Sequence, residues 1–319
     1  MIKRSLAAAT IAGLALSLAA CGKDSAAGNS SSPGGSGAGG ATIASQLIFG
    51  GPAEFQTRAD GLPGLTKNYG VTFSKFITTD TGGPVTVTAL KNGRIDAADL
   101  FTTDPSIKAN DFVILTDPKS NFAAQNIVPI VNKAKTNQGS QDVLNAISAK
   151  LTTADLGTLV GAVQNDKKDP EVVAKQWLTD HPLGTAANAA SGATLTVGSA
   201  NFPENIVLAW IYADALKAAG ANVTTKLNIG SREKYFPALQ SGSIDVFPEY
   251  NGAVLSYLDK NETASSTADV DAALAKALPS SLIALKSSSA EDSDAIVVTK
   301  ATADKYKLTS IADLAKSAS

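Results

Sequence analysis

The sequence is short of the residues that build metal and thiol chemistry. Its 319 residues include one Cys and one His. A multi-ligand Cys/His metal cluster and a disulfide within the chain are both excluded. There is no basic excess: 27 Lys and Arg stand against 29 Asp and Glu, a formal net charge of −2. That balance lacks the basic surface nucleic-acid binding needs, so no nucleic-acid partner is expected. No G-x-S-x-G nucleophile elbow and no Walker phosphate loop occurs. The lone imidazole, His181, stands before Pro182 and reads as a helix-end residue rather than a general base. The acidic pair Asp292 and Asp294 reads as solvated. No spacing calls for catalysis or a cofactor, so the chain is read as a non-enzyme. What remains is an ordinary globular composition, 44% hydrophobic and 18% charged, with length for one or two domains.

The N-terminus carries an export signal. Lys3 and Arg4 precede an apolar run over 6–18, too short to span a bilayer comfortably. The run ends in Leu18-Ala19-Ala20-Cys21-Gly22, with the sole cysteine at the end of a predicted signal peptide over 1–20. This resembles the lipobox of bacterial lipoproteins and implies lipidation at Cys21. Residues 21–45, rich in Gly, Ser and Ala, then read as a flexible tether. A membrane anchor on the extracytoplasmic face is expected.

The body of the chain repeats a phrase. Ala238-Leu239-Gln240-Ser241-Gly242-Ser243-Ile244-Asp245 runs into Val246-Phe247-Pro248-Glu249-Tyr250. Ala89-Leu90-Lys91-Asn92-Gly93-Arg94-Ile95-Asp96 likewise runs into Ala97-Ala98-Asp99-Leu100-Phe101. Each reads as a helix end, a left-handed glycine stop and a buried strand. Two copies suggest two similar α/β lobes, each with an aromatic at a strand end, where open α/β sheets place ligands.

Strands are predicted over 46–51, 71–78, 112–115, 127–131, 195–199, 223–229 and 295–299. Helices are predicted over 61–69, 85–92, 141–150, 153–163, 170–180, 203–219, 231–239, 268–278, 301–306 and 311–316. The alternation argues for α/β lobes with mostly parallel sheets. Residues 183–192 are small and polar and read as a linker.

Several phrases together resemble substrate-binding proteins of ABC importers for osmoprotectants such as glycine betaine, choline, carnitine and proline betaine. They are Val197-Gly198-Ser199-Ala200-Asn201-Phe202-Pro203-Glu204, Gly230-Ser231-Arg232-Glu233 and Pro248-Glu249-Tyr250-Asn251-Gly252. The other half supplies Glu54-Phe55-Gln56-Thr57-Arg58-Ala59-Asp60-Gly61, Phe101-Thr102-Thr103-Asp104 and Lys150-Leu151-Thr152-Thr153. The resemblance implies a two-lobe periplasmic-binding-protein fold, type II like, with a ligand cleft between lobes. It also implies a monomer that delivers a small solute to an ABC permease and its ATPase. A lipid-anchored sensor on the same fold is the alternative; a hydrolase is a weaker one.

The order of the halves differs from the family's, as in a circular permutation. One lobe is then expected over 46–117 plus 295–319 and the other over 118–294, with Ser319 near Ser45. The resemblance further implies that Tyr250 and Phe101 are cage aromatics, facing one another across the gap, and that Arg58 clamps a carboxylate. Asn201 and Thr102 are expected at the ligand. Asp294 and Gln125 stand where the family places two more aromatics. Fewer ring faces weaken cation–π binding, so a more polar site is expected, with Asp294 as counter-charge to a cation.

Overall fold

The computed structural model describes residues 41–318. The expected signal peptide, Cys21 and most of the expected tether lie outside the described residues. The tether was expected to reach residue 45, but the chain is packed earlier. Ile43 and Ala44 are buried, and Ile43 N–H donates to the Lys316 carbonyl at 2.9 Å. One isoleucine in a small-residue stretch is enough to dock it once a partner strand is present. Ala318 N–H donates to the Ala41 carbonyl at 2.8 Å, so the two described ends lie side by side.

Two five-stranded sheets form the body. The first contains β1 (Ile48–Gly51), β2 (Lys75–Thr78), β3 (Ala97–Phe101) and β4 (Val113–Ile114). The second contains β5 (Ile127–Asn132), β6 (Thr194–Gly198), β7 (Asn222–Lys226), β8 (Val246–Tyr250) and β9 (Leu282–Ala284). A final strand, β10 (Asp294–Val298), returns to the first sheet. The orders are β2-β1-β3-β10-β4 and β7-β6-β8-β5-β9.

The sheets are mixed, not mostly parallel as expected. In each, the first three strands run parallel, and β10 and β5 pair antiparallel with both neighbours. β–α–β crossovers fix the parallel trio. β5 and β10, by contrast, arrive from the other sheet and enter reversed. Hydrophobic patterning reports burial, and every residue of β5, β8 and β10 is buried; it does not report strand direction.

The repeated phrase has one structural meaning in both sheets. Gly93 and Gly242 end their helices at φ +67° and +72°, a conformation that favours glycine. Ile95 and Ile244 then sit in the core at 1% and 0% exposure. The Asp96 carboxylate accepts from Ile48 N–H of β1 at 2.8 Å, and the Asp245 carboxylate accepts from Thr196 N–H of β6 at 2.9 Å. Each aspartate thus pins the phrase to the neighbouring strand, and β3 and β8 end on Phe101 and Tyr250.

Two segments cross between the sheets, one joining β4 to β5 and one joining β9 to β10. They run side by side: Ile127 N–H donates to the Ala290 carbonyl at 3.0 Å and Asp292 N–H to the Gln125 carbonyl at 3.1 Å. The paired crossings form a joint at the base of the cleft. Asp292 lies in it with 0% exposure, and Asp294 follows at 4%. Both were expected to be solvated. Close spacing in sequence cannot show that a fold passes this stretch between two bodies.

Candidate ligand-binding site

The cleft wall on the first sheet is built by the short helical turn Ala53–Gln56, the end of β3 and the start of β10. The wall on the second is built by the loop after β6, the start of the helix Arg232–Gln240 and the end of β8. Between them is a cavity of about 50 Å³, room for a few water-sized groups. Six expected residues line it together: Arg58, Phe101, Gln125, Asn201, Tyr250 and Asp294. Thr102 does not. Its hydroxyl donates to Asp292 Oδ1 at 3.1 Å, so the turn just past β3 directs it to the crossing segment instead of the cavity.

The two rings do not face one another directly. Phe202 lies between them, its centroid 5.1 Å from Phe101 and 5.9 Å from Tyr250. These separations fall in the usual range for packed aromatic pairs. Phe202 stands in the quoted stretch beside Asn201, but its neighbours in sequence gave no sign that the ring turns inward. Asn205 holds that loop in place. Its side chain accepts from Ala200 N–H at 2.8 Å and donates to the Pro248 carbonyl at 2.7 Å.

Arg58 is already engaged by the protein's own acids. Its Nη2 donates to Asp294 at 2.7 Å, and its Nε lies 3.0 Å from Asp60 Oδ1. Burial alone would lower its pKa; Asp294, Asp60 and Asp99 more than offset this and hold the guanidinium charged. Asp99 sits behind Asp294 on β3. Burial, with the charge of Asp294 next, pushes the Asp99 carboxyl well above the usual carboxylate range. One guanidinium therefore serves three acids. The guanidinium expected to clamp a ligand carboxylate is thus paired with the protein's own carboxylates.

The second wall has its own arginine, which sequence reasoning did not single out. Arg232 donates to both oxygens of Glu249, at 2.9 and 3.0 Å, and Tyr235 Oη donates to Glu249 Oε1 at 2.8 Å. Glu249 also accepts from Tyr250 N–H at 2.9 Å. Such fork-to-fork pairing is the strong form of a charge-assisted bond. Arg232 was visible in its Gly230–Glu233 phrase, but its partner lies seventeen residues on and is met only in space. Glu54 and Glu233 also line the cavity. The site therefore offers aromatic faces, two spoken-for arginines and a surplus of carboxylates.

Residues 40–180 and 193–319 match the family described as the substrate binding domain of ABC-type glycine betaine transport system. A glycine-betaine-binding protein of Pseudomonas aeruginosa is 27% identical over 147 residues, 46% of this chain and 47% of that protein. The glycine betaine-binding protein YehZ of Escherichia coli is 32% identical over 124 residues, 38% of this chain and 41% of that one. The ergothioneine transport permease/ergothioneine binding protein EgtU of Helicobacter pylori is 29% identical over 132 residues, 41% of this chain and 24% of that one. Each alignment spans less than half the relative's length.

Proposed function

Because the chain belongs to the substrate-binding domain family of ABC-type glycine betaine transport systems, we propose that it captures a small organic cation and hands it to an ABC permease. The solute is choline-like or a protonated amine rather than a betaine. One observation carries this: both arginines at the cavity are paired with protein carboxylates, and acid remains in excess. A ligand carboxylate would have to displace Asp294 from Arg58. A cation without a carboxylate meets Asp294 and the rings of Phe101, Phe202 and Tyr250 as they stand, and cation–π contacts contribute about 0.5–2 kcal/mol each. Tyr250, Phe101, Asp294, Gln125, Asn201 and Arg58 are the ligand-facing set in this reading.

The remaining parts of the reading have separate support. Lipidation at Cys21 and a tether would hold the protein on the extracytoplasmic face near its permease. A circularly permuted order, with lobes over 46–117 plus 295–319 and 118–294, is supported by the adjacent ends at Ile43 and Lys316. The family match breaks at 181–192, a stretch that contains the linker read over 183–192. Isothermal titration of the purified protein with choline, glycine betaine and carnitine tests the solute class. Choline is expected to bind at least tenfold more tightly than glycine betaine. Equal or tighter glycine betaine binding would refute the cation reading.

A further inference from the structure

A second acidic pair lies beneath the cavity. Glu204, in the first turn of the helix Pro203–Ala218, is 3% exposed, and Asp292 of the joint is 0% exposed. Glu204 Oε1 accepts from Tyr250 Oη at 2.7 Å, on the second wall. Its Oε2 accepts from Thr103 Oγ1 at 2.9 Å, on the first wall just past β3. Asp292 Oδ1 accepts from Thr103 N–H at 3.0 Å and from the Thr102 hydroxyl at 3.1 Å. Three of the four carboxyl oxygens are thus supplied with donors. The fourth, Asp292 Oδ2, is buried with no donor among the described residues, and the two acids meet at Thr103, whose N–H donates to Asp292 and whose hydroxyl donates to Glu204.

No Lys, Arg or His forms a salt bridge with either carboxyl among the described residues. The titratable groups that face the pair are Asp104, from the turn after β3, and Tyr250, from β8. Neither supplies a positive charge. Two adjacent carboxyls, dry and without a cation, do not both stay ionised.

We propose that Glu204 and Asp292 share a single proton across the joint, carried on Asp292 Oδ2 and donated to Glu204, and that this proton is taken up from water when the lobes close. Glu204 is then a positioning residue. It fixes the Tyr250 ring at the cavity and ties it to Thr103 on the opposing wall, so ring placement and closure become one event. Thr102, absent from the cavity, belongs to this device. Burial raises both carboxyls, and Glu204 adds to the effect on Asp292. A carboxyl whose pKa is higher in the closed form favours closure below its open-form pKa. That contribution is lost as the pH rises through the closed-form value. The inference does not depend on which solute binds.

Infrared difference spectra and small-angle scattering of the ligand-free protein test it. At a pH where scattering shows the closed form, the spectrum of wild type minus D292N is expected to show a protonated carboxylic acid band, and wild type minus E204Q the same band. Asp99 contributes equally to all three proteins and cancels. The closed-to-open ratio from scattering is expected to fall by up to tenfold per pH unit in wild type and to stay level in D292N, whose amide supplies the same hydrogen permanently. Absence of the band from both difference spectra would overturn the shared proton. A wild-type scattering profile that does not change with pH would overturn its coupling to closure, as would a D292N profile that tracks wild type.

Discussion

On the second-sheet wall of the cleft, Glu249 has 0% side-chain exposure and is surrounded by donors from Arg232, Tyr235 and the Tyr250 backbone. On the first-sheet wall, Arg58 faces Asp60, Asp99 and Asp294, and Asp99 and Asp294 each keep one buried oxygen without a hydrogen-bond donor. The two walls share strand order, repeated phrase and terminal aromatic, yet their polar layers differ. A satisfied network is rigid and offers a ligand nothing that is not already used. An acid-rich one with free acceptors offers attraction to a cation. The second wall thus has its buried carboxylate fully paired, while the first keeps acceptor oxygens unpaired.

That contrast can be broken most forcefully at Arg232. R232M leaves the Glu249 carboxylate buried without its cation, and the expected loss of stability is about 3–5 kcal/mol. Chemical denaturation measures it; a loss below about 1 kcal/mol would mean the second wall is not held by this pair. A smaller effect is expected at Asp294. D294N removes the counter-charge but keeps the shape, and choline affinity should fall roughly ten- to a hundredfold, the worth of one close opposite charge near a protein surface. Glycine betaine affinity should rise in the same variant, because Arg58 Nη2 is released. Calorimetry on both ligands reads the two changes, and a parallel fall in both would remove Asp294 from its proposed role.

The smallest effect is expected at Asp99. Its carboxyl is raised by burial and by Asp294, which favours the protonated form, and D99N keeps the shape of that form. Stability at pH 7 should move by less than about 1 kcal/mol. The pH dependence should change instead. A raised carboxyl contributes its full stability below the ordinary carboxylate pKa and loses it as the pH rises through its folded-state value. Denaturation across that window should therefore be flatter in D99N than in wild type. An unchanged slope would mean Asp99 is ionised in the folded protein.

Much of the fold can be read in the chain before any coordinates. The phrases ending in Phe101 and Tyr250 announce a duplicated strand. Their glycines and aspartates play matching parts in both copies, with Gly93 and Gly242 at positive φ and Asp96 and Asp245 holding a neighbouring strand. Such signals are local: a helix end, a turn and a strand lie within a dozen residues. The helix Pro170–Asp180 spans the residues its apolar spacing predicts, and the structure shows Asp169 capping it and His181 closing it. The short helix Pro105–Ala109 and the strand Leu282–Ala284 were not foreseen. Segments this brief carry little periodicity, and their form is set by what they pack against.

The candidate site divides along the same line. Which residues could bind was implied by the resemblance to osmoprotectant-binding proteins, and six of seven do share a cavity. Their charge state was not, because a side chain's partners across the fold decide it. Arg58 and Asp294 lie 236 positions apart and meet at 2.7 Å, while Thr103 and Glu204 meet over 101 positions. Composition and local pattern determined two matched α/β halves with aromatics at their strand ends. Only the folding of one half against the other decided that the arginines are spent, that Phe202 enters between the rings and that two acids share the joint. Electrostatics in a dry interior depends on distance through space, which sequence separation does not encode.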